Sequence, residues 1–383
     1  MEGVRADLPQ LLTLICPACR RLSERGRELY TLSLEQILRQ SPAPPGNPPL
    51  VPEVPEIEEG ILRCVNPACG ERYPILCGIP ILLPPRARDD AGAAVSISGL
   101  AAGQLAALAP LSPETAALLA LAGPDDAPLP RLLEHLSIYL DAHFGDCAMP
   151  PPAGPPGPTA GFGGRQLFAA LAERAAAPVG RAIELGCSVG RGLHELRSGA
   201  DLVVGIDLHL GALCAARRLL QDGALPYARR VIGRHYAPAT ITQKDRPPSQ
   251  SVVLLCGDAL DPPLVPQDFE RVVACNVLDS VRSPPGLLSV LDGLCRPGGE
   301  IILASPYSWQ SGIVQEDARL GGADPAAELR RILTSGGAGL AAGLEAAYWL
   351  EADCELSWEL RRDMRSAHTY LVHLLRARKG LPA

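Results

Sequence analysis

Aromatic residues are scarce in this chain: 3 Trp, 8 Tyr and 4 Phe among 383 residues. A core with so few large rings must rest on small aliphatic side chains and closely packed helices. Long apolar runs are also missing. None reaches the roughly 18–20 residues that a membrane-spanning helix needs. The first residues, Met1-Glu2-Gly3-Val4-Arg5-Ala6-Asp7, lack the charged-then-apolar layout of a signal peptide. A cytoplasmic protein with no membrane partner is the expectation. Positive charge is in deficit too, with 35 Lys and Arg against 42 Asp and Glu and a formal net charge of −7. That balance argues against bulk nucleic-acid binding, which calls for a basic face. The one locally basic stretch, residues 223–250 with Arg229, Arg230, Arg234, His235 and Lys244, reads as a solvated loop inserted between core elements.

Cysteine is plentiful, at 12 residues. A reducing compartment disfavours disulfides, so metal ligation and buried thiols are the expected uses. Cys16-Pro17-Ala18-Cys19 and Cys64-Val65-Asn66-Pro67-Ala68-Cys69 are two tight knuckles, each with a cysteine at both ends. Four thiolates from two such turns make a tetrahedral zinc cage. Cys16, Cys19, Cys64 and Cys69 are therefore the candidate metal ligands, and Cys77 reads as a core residue. Between the knuckles, an extended segment is expected, then a short helix from about Ser33. Residues 41–55 carry seven prolines and form a stiff loop.

The central motif is Ile183-Glu184-Leu185-Gly186-Cys187-Ser188-Val189-Gly190-Arg191-Gly192. An apolar run stops at a glycine, three glycines fall within seven positions, and a helical pattern follows. This is a buried strand, a tight turn and a helix N-terminus whose free N–H groups face a polar ligand. The order beyond it alternates strand and helix, which calls for a parallel sheet. Strands are expected at 202–207, 251–256, 271–279 and 300–307, and a helix at 285–295. Residues 325–348 read as helical, and two final strands near 353–359 and 368–376 as an antiparallel pair. Asp207 closes its strand about 20 residues after the glycine turn, where a carboxylate can accept two hydrogen bonds from a ribose diol. A plain helix N-cap is the other use of an Asp there. His368 and His373 read as strand-face residues.

The glycine spacing, with an acidic residue two positions upstream, resembles the first motif of the Rossmann-like S-adenosylmethionine (SAM)-dependent methyltransferases. The resemblance implies an α/β fold with a seven-stranded, mostly parallel sheet and flanking helices. It places Glu184, Gly186, Cys187, Ser188, Gly190, Arg191, Asp207, Leu208, Asp258, Ala259 and Asn276 around the cofactor. Asp258 would meet the adenine amino group, and the following backbone N–H the ring. A second resemblance covers residues 8–85. The knuckle, Tyr73-Pro74-Ile75 and Gly78-Ile79-Pro80-Ile81-Leu82-Leu83-Pro84 together look like the small zinc-ribbon family that activates RNA and protein methyltransferases as a partner subunit. Members usually have Asp where Cys77 stands.

A third, narrower resemblance rests on Tyr139-Leu-x-x-His143-Phe-Gly, Leu185-Gly-Cys-Ser-Val-Gly-Arg191, Asn276-Val-Leu-Asp279, Ser305-Pro-Tyr-Ser-Trp309 and Leu320-Gly-Gly322. Together these look like the methyltransferase module of ovothiol biosynthesis, which methylates an imidazole nitrogen of a thiol-bearing histidine. That family's Thr and Trp ahead of the Gly pair align here with Val314 and Arg319, which puts the substrate in doubt. The resemblance implies that Tyr139 and His143 close the cofactor pocket, although helix packing alone would also account for them. Asn276, Asp279, Tyr307 and Trp309 are the candidates beside the methyl group. The domains expected are a zinc ribbon (1–85), a helical Ala/Pro-rich linker (86–130, with helices near 98–108 and 113–122) and a methyltransferase domain (131–383). The Pro/Gly loop at 147–164 reads as a flap near the site. The activity expected is N-methylation of a small molecule, with SAM and zinc as cofactors. The alternatives are an RNA or protein methyltransferase whose ribbon docks its target or a protein partner, and a non-catalytic SAM-binding scaffold.

Overall fold

The computed structural model describes residues 4–5, 12–22, 29–40, 56–83, 128–149, 164–243, 251–338, 340 and 343–381. The two helices expected at 98–108 and 113–122 lie outside these, as do residues 150–163 of the flap.

The N-terminal unit contains β1 (Val4–Arg5), α1 (Pro17–Leu22), β2 (Leu32–Gln40), β3 (Glu56–Cys64), β4 (Arg72–Leu76) and β5 (Ile79–Pro80), joined as one antiparallel sheet. The helix expected from Ser33 is a strand instead. Leu32 to Gln40 pair along β3 from Cys64 to Ile57, and that ladder satisfies the backbone groups a helix would have satisfied internally. Glu35 reaches Arg63 at 3.2 Å and Arg72 at 2.6 Å on the exposed face of the sheet. The helical turn sits at the first knuckle, where Pro17 opens α1 with its fixed φ and missing N–H.

The larger unit begins with α2 (Pro128–Phe144), β6 (Ala148–Met149) and α3 (Arg165–Arg174). Then come β7 (Val179–Leu185), α4 (Arg191–Leu196), β8 (Ala200–Asp207) and α5 (Leu210–Asp222). A hairpin, β9 (Ala224–Ile232) and β10 (His235–Thr242), replaces the expected loop. Alternation explains it: Leu225, Tyr227, Ala239 and Ile241 point into a small core with α2, and β10 pairs with β6. Next are β11 (Ser251–Cys256), β12 (Phe269–Cys275), α6 (Pro284–Leu294), β13 (Cys295–Ser305), α7 (Pro325–Thr334), β14 (Tyr348–Asp363) and β15 (Ser366–Lys379). The helix expected to run to 348 stops at Thr334, where Gly336 and Gly337 take left-handed φ of 69° and 82°.

Seven strands form the central sheet in the order β11-β8-β7-β12-β13-β15-β14. The first five are parallel, and β15 runs antiparallel between β13 and β14. This is the Rossmann-like methyltransferase sheet. Its two faces carry separate apolar cores, one under α3 to α5 and one under α6 and α7. The order reverses at β7–β12, and a cavity opens at the carboxyl ends of the strands there, as open α/β sheets dictate. At the opposite ends, the fully buried Arg271 bonds Glu300 at 2.6 Å and caps the carbonyls of Ala175 and Ala177.

The N-terminal unit packs on the β11 edge. Ile81 forms a parallel bridge to Cys256, and Leu82 N donates to Cys256 O at 2.8 Å. Arg217 on α5 holds Glu58 at 2.7 Å and the carbonyl of Cys77 at 2.6 Å. An open sheet edge is thus covered rather than left to pair with another chain. No described helix is long and apolar enough to cross a membrane.

Candidate active site

The strand–turn–helix around Gly186 is built by close approach. Gly186 has φ of 74°, and a Cβ there would lie 2.2 Å from Val277. A Cβ on Gly192 would lie 2.1 Å from the Glu184 carboxylate, which sits over the first turn of α4 and accepts from the backbone of Leu193. Asp207 Oδ2 accepts from Ser188 N at 2.9 Å, and Oδ1 accepts from His209 N at 2.7 Å. One carboxylate therefore ties the glycine turn to the end of β8. Asp258 Oδ1 accepts from Leu260 N at 2.9 Å, and Oδ2 receives Arg282 at 2.9 Å.

A cavity of about 310 Å³ lies across these strand ends. Of the candidate residues, it is lined by Tyr139, His143, Glu184, Gly186, Ser188, Asp207, Leu208, Asp258, Ala259, Asn276 and Asp279. The structure does not bring the remaining candidates to it. Cys187 is buried against Gly205, and Gly190 lies against Ala216, so both serve packing. Arg191 is largely buried over the Phe144 and Phe168 rings. It bonds Asp146 at 2.9 Å, Glu195 at 2.5 Å and the carbonyl of His143 at 3.0 Å, and so clamps the end of α2 to α4. Tyr307 and Trp309 lie on the α7 side of the sheet. Tyr307 Oη donates to His373 Nδ1 at 2.7 Å, and His373 Nε2 donates to Asp353 at 3.1 Å. Trp309 packs on Tyr307 at 5.9 Å between ring centres. Their neighbours Pro306 and Ser308 line the cavity instead.

Several lining residues carried no signal in the motifs: His135, His209, Trp358 and Tyr370. His135 stacks between Tyr139 and His209, with ring centres 4.3 Å apart on both sides. The spacing His135, Tyr139, His143 on α2 is i, i+4, i+8, and that period places all three on one face. Burial keeps the two α2 imidazoles neutral, pushing each down to about 3. His209 caps α5, accepting from Ala212 N at 3.0 Å through Nδ1. Trp358 and Tyr370 arrive from the terminal hairpin.

Buried polar atoms mark the cavity. Glu184 Oε2, Ser188 Oγ, His143 Nδ1, Asn276 Oδ1, Asp279 Oδ1 and Trp358 Nε1 are all shielded and without a partner among the described residues, and all six residues line it. Each such group costs roughly 1–3 kcal/mol when left unmet, so a ligand is the natural partner. Burial raises the carboxyls of Glu184, Asp207 and Asp279, with the charge of Asp207 adding to the effect on Glu184.

In the N-terminal unit, the four knuckle sulfurs lie within 4.8 Å of one another. Cys16 and Cys69 are 3.8 Å apart, and Cys19 and Cys64 are 3.6 Å apart. Asn66 turns its backbone and side-chain N–H toward Cys64 and Cys19 at 3.4 and 3.5 Å. Cys77 stands apart from them, packed on Cys214 of α5.

Residues 183–303 match the family described as "Methyltransferase domain". The chain carries a SAM-dependent methyltransferase domain. No curated protein matches the chain. Among solved structures, the N-methyltransferase NodS of Bradyrhizobium japonicum, in complex with S-adenosyl-L-homocysteine (SAH), is 14% identical over 56% of this chain and 86% of its own, with a TM-score of 0.37. A putative methyltransferase of Bacillus halodurans is 14% identical over 56% of this chain and 98% of its own, also at 0.37. Phosphoethanolamine N-methyltransferase 2 of Haemonchus contortus is 19% identical over 37% of this chain, with a TM-score of 0.28, and this chain spans little more than a quarter (28%) of its length. Likenesses this distant do not bear on the substrate.

Proposed function

We propose that the protein transfers the methyl group of SAM to a nitrogen of a small molecule, an imidazole-like acceptor being the first to test. The observation that carries this reading is the set of six unmet buried polar atoms around one cavity at the strand ends. The cavity residues fit the cofactor: acceptors stand where ribose and ammonium groups need them. Asp207 would hold the ribose hydroxyls. Asp258 and the backbone of Ala259 would meet the adenine, and Glu184, Gly186 and Ser188 the amino-acid end. Asn276 and Asp279 would face the acceptor, with Tyr139 and His143 closing the cavity from α2. SAM, when bound, supplies an already activated methyl carbon. What the chain adds is alignment and exclusion of water. A cavity of about 310 Å³ is of a size for small molecules. Val314 and Arg319, where the chain departs from the ovothiol module, do not line it.

The ribbon, residues 1–85, would bind zinc through Cys16, Cys19, Cys64 and Cys69. A tetrahedron with Zn–S bonds of about 2.3 Å has S–S edges of about 3.8 Å, and the close sulfur pairs are at 3.6 and 3.8 Å. The ribbon is packed on its own catalytic sheet, which favours a structural role over docking of RNA or a protein partner. Residues 86–130 would link it to the methyltransferase domain at 131–383.

Calorimetric titration with SAM and SAH tests the cofactor reading. Micromolar binding of either is expected, and binding of neither by folded, zinc-loaded protein would overturn it. Elemental analysis should find one zinc per chain.

A further inference from the structure

We infer that the methyl acceptor binds as a cation, its ammonium or imidazolium nitrogen seated on Asp279. This rests on the cofactor reading above and adds the charge of the second substrate. Asp279 follows β12 and is only 2% exposed, yet it lines the cavity. Its two oxygens are used differently. Oδ2 accepts from both the backbone N of Ser308, at 3.0 Å, and Ser308 Oγ, at 2.6 Å. Oδ1 is shielded and has no partner among the described residues. Burial alone favours the protonated acid; once ionised, the carboxylate can only accept, so the partner that would hold it ionised is a donor. A buried charge held by two neutral donors is still uncompensated, and a cationic donor on the free oxygen restores the balance.

The rest of the cavity points the same way. Its carboxylates are Glu184, Asp207, Asp258 and Asp279, and no Lys or Arg is among the described residues lining it. Arg282 holds Asp258 at 2.9 Å without itself lining the cavity. Trp358 and Tyr370 offer aromatic faces, which attract cations. A second cavity of about 390 Å³ shares His135, Tyr139 and Leu360 with the first. Its own Arg362 is bonded to Glu134 at 3.0 Å. An anionic acceptor would meet Asp279 with no Lys or Arg among the described lining residues to receive it.

The same oxygen can complete the proton account. The acceptor gives one N–H proton to Asp279 Oδ1, and its lone pair forms the N–C bond while the C–S pair leaves with sulfur. The product nitrogen keeps one positive charge, and Asp279 passes the proton to water on release.

The test is fragment binding to the full chain saturated with SAH, followed by saturation-transfer NMR and calorimetry. The probes are matched sets on common rings: amines and imidazoles, their carboxylate counterparts, and neutral amides. Histamine against imidazole-4-acetate is one such pair. Cations should bind at least tenfold tighter than their matched carboxylates. Asp279→Asn should abolish that ratio while the SAH constant moves less than twofold. Carboxylates binding as well as cations, no cation binding at all, or a ratio that survives Asp279→Asn would overturn the inference. If the variant does not fold, the wild-type ratio decides alone. Failure to bind SAH at all would instead sink the cofactor reading.

Discussion

The two halves of the cavity are assembled in different ways. The half with Glu184, Asp207 and Asp258 comes from the ends of three parallel strands, β7, β8 and β11, that neighbour one another in the sheet. Each contributes a short segment whose geometry is local: a glycine turn, a carboxylate that closes a strand, and a tight Asp turn. The half with Asp279, Ser308, Trp358 and Tyr370 comes from β12, the loop after β13, and the terminal hairpin. Those segments meet only because β15 inserts between β13 and β14. The first half is a property of motifs and the second a property of topology, so the two should respond differently to mutation.

The largest effect is expected at Asp207. Its oxygens hold the Ser188 and His209 backbones, so Asp207→Ala removes both the proposed ribose acceptor and the tie between β8 and the glycine turn. We expect SAH affinity to fall at least about 100-fold, or about 2.8 kcal/mol, with the fold retained by circular dichroism. A change below threefold would mean that the nucleotide does not sit at the end of β8. Next comes the ribbon. It fastens both sides of the loop that carries Asp258, through Leu82 N to Cys256 O and Ile15 N to Pro263 O, each at 2.8 Å, and Arg20 to Asp261 at 3.0 Å. On the proposed zinc reading, Cys64→Ser should therefore release the metal, lower the melting temperature and weaken SAH about tenfold. Metal loss with unchanged SAH affinity would show that the loop stands without the ribbon.

This difference also explains what was legible in the sequence. The succession of strands along the chain, the glycine turn and the four knuckle cysteines could be read from short spacings. The hairpin at 224–242 could not, because its pattern alternates only in pairs against α2. Nor could the strand at 32–40, which exists because β3 offers it a ladder. In the acceptor half, Asp279 was visible because it follows a strand. Trp358 and Tyr370 were not, because nothing local marks a strand residue whose partner lies across the sheet. Motif reading placed Tyr307 and Trp309 toward the chemistry, but β13 ends at Ser305, and the left-handed backbone at Tyr307 (φ 51°) and Trp309 (φ 39°) leaves Pro306 and Ser308 lining the cavity and Tyr307 bonded to His373.

Tyr307→Phe sharpens that point. The phenol donates to a buried imidazole that is itself held by Asp353, so the variant should lose about 1 kcal/mol of stability by denaturant melt. Turnover should fall less than about tenfold, with SAH affinity unchanged. A loss of several hundredfold in turnover would put Tyr307 back at the reacting atoms.

The smallest effect is a count of protons, and it joins the two halves. Burial raises Glu184, Asp207 and Asp279 above ordinary carboxyls. Their folded values then exceed their unfolded ones, so in the window between them the folded chain holds protons that the unfolded chain has lost. The ligand-free protein must therefore lose stability as pH rises through that window. A cation in the cavity favours the ionised carboxylates and expels those protons. Binding measured just above the ordinary carboxyl range, in buffers of different ionisation heat, should show proton release. SAM, which carries the sulfonium charge, should release more than SAH, which does not. Equal release would mean that the sulfonium lies away from all three carboxyls, and the cofactor half would have to be turned around within the cavity.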